Sequence, residues 1–196
     1  MPAENQWVGE VNAYPNPITV LTIGQIRDFA TNKTLLGELG NNKDFFMLFA
    51  GKSLIASRLE QHSRDSSISN VSFSGYYDKV VEDSIVEKCD IINVCMGDNV
   101  NSNCLMSNRI YLAARLRRPL LSFEGSYQAE VIKKCGLGLV ISRNADVAQE
   151  IKNYLEQLDT KVFNDSCELF LEDVAAEIKV FDESLNQFVD KIRPVV

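Results

Sequence analysis

The sequence has little of what marks several common protein classes. Only 10 of its 196 residues are glycine and 5 are proline, which excludes collagen-like and low-complexity disordered chains. One histidine, His62, and five cysteines with no C-x-x-C pair give no zinc signature. No apolar run approaches the roughly 18 residues of a membrane-spanning helix, and residues 1–17 lack the features of a signal peptide. These absences predict a cytoplasmic protein with reduced cysteines.

Positive charge is also scarce. The chain has 27 acidic and 20 basic residues, a net charge of −7, which repels phosphate backbones and argues against a general nucleic-acid binder. Hydrophobic residues make up 45% and charged residues 24%, the balance of an ordinary globular protein. A chain of this length buries roughly 70% of the surface of its unfolded state, so one domain needs no disulfide or metal for stability.

Apolar runs alternate with helical patterns from residue 18 onward, whereas residues 1–17 are polar and are interpreted as a lead-in or linker. The runs span 18–24, 44–51, 70–75, 91–97, 119–123 and 138–141. Alternation of this kind predicts parallel β-α-β units with helices on both faces of one sheet. We therefore expect residues 18–196 to form one Rossmann-like, doubly wound α/β domain with the strand order 3-2-1-4-5-6.

The last helical segment carries a long apolar stripe. Its members step by four and three residues: Val174, Ile178, Phe181, Leu185, Phe188 and Ile192. This spacing predicts a long C-terminal helix.

In a doubly wound sheet, ligands bind beyond the carboxyl ends of the strands where the strand order reverses. The loops 24–33 and 97–109 meet at that point. Ser107 is a good N-cap residue for the following helix, whose free N–H groups attract anions. These features predict a diphosphate site, with these contributing residues: Gly24, Arg27, Lys33, Ser107, Asn108 and Arg109. A helix cap without a ligand, and solvated loop charges, remain the alternative interpretations.

Other motifs are absent or ambiguous. No G-x-G-x-x-G follows the first strand, where Gly24 stands alone, and no P-loop motif occurs. A lone histidine excludes a Ser/His/Asp or Cys/His catalytic set. Gly75 ends the third apolar run, and Tyr76 and Tyr77 follow it. These tyrosines either stack on a base or a partner, or cover the rim of the sheet.

Taken in order, four blocks resemble the C-terminal, nucleotide-sugar-binding half of a GT-B glycosyltransferase of the bacterial capsule and exopolysaccharide type. The blocks are ITVLTIGQIRDFATNKTLLGEL (18–39), VSFSGYYDKVVEDSIVEKCDIINVCM (71–96), SNRIYLAARLRRPLLSFEG (107–125) and CGLGLVI (135–141). The resemblance implies that a nucleotide-sugar diphosphate lies on the helix start at Ser107, Asn108 and Arg109. Arg27 or Lys33 would neutralise it in place of a metal, and the nucleoside would lie near Gly75 and Tyr76.

Two positions and the length depart from the resemblance. Leu112 and Cys104 stand where many such enzymes carry glutamates, one of which binds the ribose. The resemblance implies that the acceptor site, any catalytic base and any membrane contact come largely from an N-terminal half, which we expect to lie outside residues 18–196. Two hypotheses follow: the donor-binding half of a glycosyltransferase, inactive alone and completed by a separate domain or subunit, or a non-catalytic interaction module that keeps the fold.

Overall fold

The computed structural model describes residues 17–192, so the predicted lead-in of residues 1–17 lies, apart from Pro17, outside the described residues. Six parallel strands form one sheet in the order β3-β2-β1-β4-β5-β6. The strands are β1 Ile18–Ile23, β2 Phe45–Ala50, β3 Val71–Gly75, β4 Ile91–Asn93, β5 Leu120–Phe123 and β6 Gly138–Ile141. The predicted fold class and strand order are confirmed.

Helices cover both faces of the sheet. They are α1 Phe29–Leu39, α2 Leu54–Asp65, α3 Glu82–Val86, α4 Val100–Asn103, α5 Asn108–Arg115, α6 Tyr127–Lys134, α7 Val147–Gln157 and α8 Thr160–Ile192. One core lies between the sheet and α1, α2 and α7, and the other lies between the sheet and α3, α5, α6 and α8. Burial on both faces explains why the strands read as continuous apolar runs such as ITVLTI.

The predicted long C-terminal helix is confirmed as α8, which begins at Thr160, and Phe163, Cys167 and Phe170 carry its apolar stripe into the second core. Another helix differs from the sequence-based expectation. The spacing of Val81, Ile85 and Cys89 predicts a helix over residues 79–90, but this segment forms only a 3₁₀ turn at Lys79–Val81 and the short helix α3. The chain enters β4 at Ile91 soon after α3 ends at Val86. Asp90 fixes the start of this strand, because its carboxylate accepts a hydrogen bond from the Thr19 N–H at 2.7 Å.

Three strands end at glycines that lie side by side on the carboxyl edge of the sheet. Gly24 donates its N–H to the Ala50 carbonyl at 2.8 Å, and Gly51 donates its N–H to the Gly75 carbonyl at 2.9 Å. A Cβ on Gly51 would lie 1.9 Å from the Gly24 carbonyl oxygen, so only glycine allows this close approach. The edge of the sheet is therefore lined by bare backbone after β1, β2 and β3.

No helix of residues 17–192 is both long and apolar enough to cross a membrane.

Candidate functional site

A cleft of about 700 Å³ opens at this carboxyl edge. Its walls come from the loops that follow β1, β2, β3 and β4 and from the first turns of α5. Six residues of the predicted site line it: Gly24, Arg27, Tyr76, Ser107, Asn108 and Arg109. The loops therefore converge as expected from the strand order.

Arg27 is an exposed cation on the β1–α1 loop. Its Nη2 and Nε donate hydrogen bonds to the Gln25 side-chain oxygen at 2.6 and 3.2 Å. Gln25 is neutral, and no carboxylate in the described part of the chain forms an ion pair with Arg27. The guanidinium charge therefore stays available to an anion in the cleft.

Arg109 joins the two sides of the cleft. It lies in the first turn of α5, and its Nη2 donates to the Gln25 backbone carbonyl at 2.6 Å. Burial lowers the pKa of Arg109 to about 10, and the nearby Arg27 charge acts in the same direction. The group remains positive at neutral pH, so Arg27 and Arg109 present two cations to the same space.

Ser107 caps the N-terminus of α5, as the sequence predicted. Its Oγ accepts a hydrogen bond from the Arg109 N–H at 3.3 Å. Asn108 is exposed beside it at the first helical position. The N-terminus of α5 therefore faces the cleft with the positive end of its dipole.

Two predicted residues do not line the cleft. The loop expected to run through residue 33 ends at Asp28, which caps α1, so Lys33 falls in the second turn of that helix. In this helix Thr31, Asn32 and Leu35 are buried against the rest of the protein, whereas Lys33 is exposed on the outer face. The structure does not bring Lys33 to the other predicted residues, whereas Gly75 lies immediately before Tyr76 at the edge of the cleft.

Sequence reasoning missed Lys52, Lys79 and Glu82 in the lining. Lys52 follows Gly51 at the end of β2 and is exposed in the cleft. The sequence does contain a signal for Lys52, because the second apolar run ends in Gly51 and this cation follows it directly, as a cation follows Gly24 within the β1–α1 loop. Tyr77 and Lys79 both bind the buried carboxylate of Glu82, with the Tyr77 Oη donating at 2.8 Å. Burial and the neighbouring Glu82 raise the pKa of Tyr77, so its hydroxyl stays protonated.

Among residues 17–192, no group of three or more His, Cys, Asp or Glu side chains is placed to hold a metal ion. The chemistry of the lining is instead cationic, with helix N–H groups and bare strand-end backbone. Such a surface is suited to binding an anion directly.

Comparisons with known proteins place the fold. No family model matches the chain, and no curated protein matches it. Among solved structures, HepE of Anabaena in complex with UDP-glucose has a TM-score of 0.69 at 14% identity, over 88% of this chain and 49% of that one. Sucrose-phosphate synthase of Thermosynechococcus elongatus has a TM-score of 0.63 at 14% identity, over 87% of this chain and 46% of that one.

A third structure matches over nearly its whole length. The catalytic domain of cholesterol-α-glucosyltransferase from Helicobacter pylori has a TM-score of 0.61 at 15% identity, over 80% of this chain and 99% of that one. The chain spans about half the length of HepE and of sucrose-phosphate synthase. It has the Rossmann-like fold found in GT-B glycosyltransferases.

Proposed function

We propose that this chain binds a nucleoside diphosphate sugar and forms the donor-binding, C-terminal half of a GT-B glycosyltransferase. The observation that carries the proposal is the cleft itself, where Arg27 from the β1–α1 loop and Arg109 from the first turn of α5 lie beside the N-terminus of α5 at the switch point of the sheet. The solved structures with this fold include HepE in complex with UDP and with UDP-glucose, which supports the ligand class.

Each group has a distinct proposed role. The diphosphate lies on the start of α5 at Ser107, Asn108 and Arg109, next to the bare backbone at Gly24. Arg27 and Lys52 neutralise its charge from the facing loops, so that no metal is needed. The exposed ring of Tyr76 offers a stacking surface for the base beside Gly75.

The same cations would favour the reaction. Transfer of the sugar leaves a nucleoside diphosphate with additional negative charge on the leaving oxygen. Preorganised cations and helix N–H groups stabilise such charge more in the transition state than in the substrate. We propose that the product is a glycan or lipid-linked glycan of a surface polysaccharide, made in the cytoplasm.

A second folded unit, either another domain or a subunit, would complete the enzyme and supply the acceptor site and any membrane contact. Large apolar side chains are exposed on the segments that follow β3 and β4 at the carboxyl edge of the sheet, with Tyr76 78%, Val80 88% and Val100 80% accessible. Exposed apolar groups gathered at one edge favour a covering partner. The half-length match to HepE is consistent with this arrangement.

One observation favours the alternative, a non-catalytic interaction module. Leu112 lies in the cleft at the position where the family resemblance expects the ribose-binding glutamate. The outer part of α8 also exposes an apolar stripe, with Ile178 56%, Phe181 65% and Phe188 60% accessible. A module of this kind would keep the fold and α8 surface but would not bind nucleotide.

Nuclear magnetic resonance separates the two functions residue by residue. Titration of ¹⁵N-labelled protein with UDP should shift the amide signals of Gly24, Gly51, Lys52 and Arg109. The amide of Asn70, at the opposite edge of the sheet, is the internal control and should not move. Shifts spread evenly over the surface, or none at millimolar UDP, would leave the interaction module as the better account.

A further inference from the structure

A chain of buried polar side chains lies beneath the cleft. Thr22, Asn32 and Asn93 come from β1, α1 and β4 and are only 3%, 2% and 1% exposed. The Asn93 amide donates to the Thr22 hydroxyl at 2.9 Å and to the Asn32 side-chain oxygen at 3.2 Å. Apolar side chains of similar size would suit this core position, so the polar chain calls for an explanation beyond packing.

At one end of this hydrogen-bonded network, Asn32 holds the β1–α1 loop. The Asn32 amide donates to the backbone carbonyls of Arg27 and Asp28, both at 2.8 Å. Asp28 has a φ of 55°, which is unfavourable for a residue with a side chain and must be held by its surroundings. Asn32 therefore fixes the backbone at Arg27 and Asp28, and this backbone sets the position of the Arg27 guanidinium in the cleft.

The other end holds the β4–α4 loop. The Asn93 side-chain oxygen accepts a hydrogen bond from the Cys95 N–H at 2.9 Å, one residue before Met96 in the cleft wall. At Gly97 a Cβ would lie 2.3 Å from the Asp28 carboxylate, so the two loops are in direct contact. The amide groups of Asn32 and Asn93 have all their polar atoms paired, which makes the connection rigid.

We infer that Asn32 and Asn93 are positioning residues that set the β1–α1 loop against the β4–α4 loop and so hold Arg27 at the place of the diphosphate. This inference rests on the proposed function, since it assigns the two asparagines to the phosphate part of the same cleft. The nucleoside part, near Tyr76, is formed by a different loop and does not depend on them.

The structure supplies a matched control for the test. Asn70 also donates its amide to backbone carbonyls, those of Leu39, Asn42 and Phe45 at 2.8, 3.1 and 2.9 Å. It holds a turn at the amino edge of the sheet, away from the cleft. Asn32→Ala and Asn70→Ala therefore remove the same kind of interaction at opposite edges.

The experiment measures dissociation constants for UDP and for uridine by calorimetry, in both variants and the wild-type chain, at a temperature where circular dichroism shows all three folded. We expect Asn32→Ala to weaken UDP binding by about tenfold or more and to leave uridine binding unchanged. Asn70→Ala should change neither constant, even if its melting temperature falls as much. Loss of UDP and uridine binding to the same degree would show a general structural role and overturn the inference.

The remaining outcomes distinguish failure of the proposed function from failure of the inference. If the wild-type chain does not bind UDP, the proposed function fails; if it binds and Asn32→Ala binds equally well, only the inference fails. Should Asn32→Ala not fold, the isosteric Thr22→Val removes one acceptor of Asn93 at little cost in shape. It should weaken UDP binding a few-fold without affecting uridine, and an unchanged UDP constant would overturn the inference.

Discussion

Replacing Arg27 by alanine tests the electrostatics of the cleft directly. The guanidinium has only the neutral Gln25 side chain as a hydrogen-bond partner among the described residues, so its removal leaves no unpaired carboxylate. A hydrogen bond to a charged group contributes about 1.5–3 kcal/mol. Because Arg27 is exposed, solvent screening should reduce this contribution to about 1–2 kcal/mol, which is a roughly 5- to 30-fold loss of UDP affinity.

Lys33→Ala is the matched control, since it removes the same charge from the neighbouring helix at a position outside the cleft. At physiological ionic strength the screening length is about 8 Å, so this change should alter UDP affinity less than about twofold. Calorimetry in 0.15 M salt compares the two variants. If Lys33→Ala weakens binding as much as Arg27→Ala, the attraction is general and the cleft assignment is wrong.

Three further predictions concern the fold and the reaction. Gly51→Ala should lower the free energy of unfolding by about 2–4 kcal/mol in urea titrations, because the new Cβ would lie 1.9 Å from the Gly24 carbonyl oxygen. Gly37→Ala is the control: the helical position of Gly37 has open space around it, so this change should raise the free energy of unfolding by roughly 0.5–1 kcal/mol. The Lys152 ammonium donates a hydrogen bond to the Asp44 carboxylate at 2.6 Å and lowers the pKa of that carboxyl below 3.8. The pair therefore stabilises the fold above pH 3.8, and this stabilisation is lost as the pH falls through the lowered pKa of Asp44. The melting temperature of Lys152→Met should be below that of the wild-type chain at neutral pH, and the difference should disappear as the pH falls through that pKa. The purified chain alone should transfer no glucose from UDP-glucose to added acceptors, and acceptor-dependent release of UDP would contradict the half-enzyme proposal.

The sequence predicted the sheet because its signals there are local and repeated. Each apolar run ends in a turn and is followed by a helical pattern, and right-handed crossovers restrict the possible strand orders. The Ser107 cap was predictable for the same reason, since a cap depends only on the residues that follow it.

The failures arise where helix phase or distant contacts decide. The position of Lys33 depends on where α1 begins, and a start at Phe29 turns that side chain away from the cleft. Asn32 and Asn93 are 61 residues apart, and neither shows a local signal for the hydrogen bond between them.

The most direct test of the central claim is calorimetry of UDP against uridine in the presence of a chelator. A cleft built for a diphosphate should bind UDP in the micromolar to millimolar range without metal, and at least about tenfold more tightly than uridine. Equal affinities for UDP and uridine, or UDP binding that appears only when a divalent metal is added, would contradict the account.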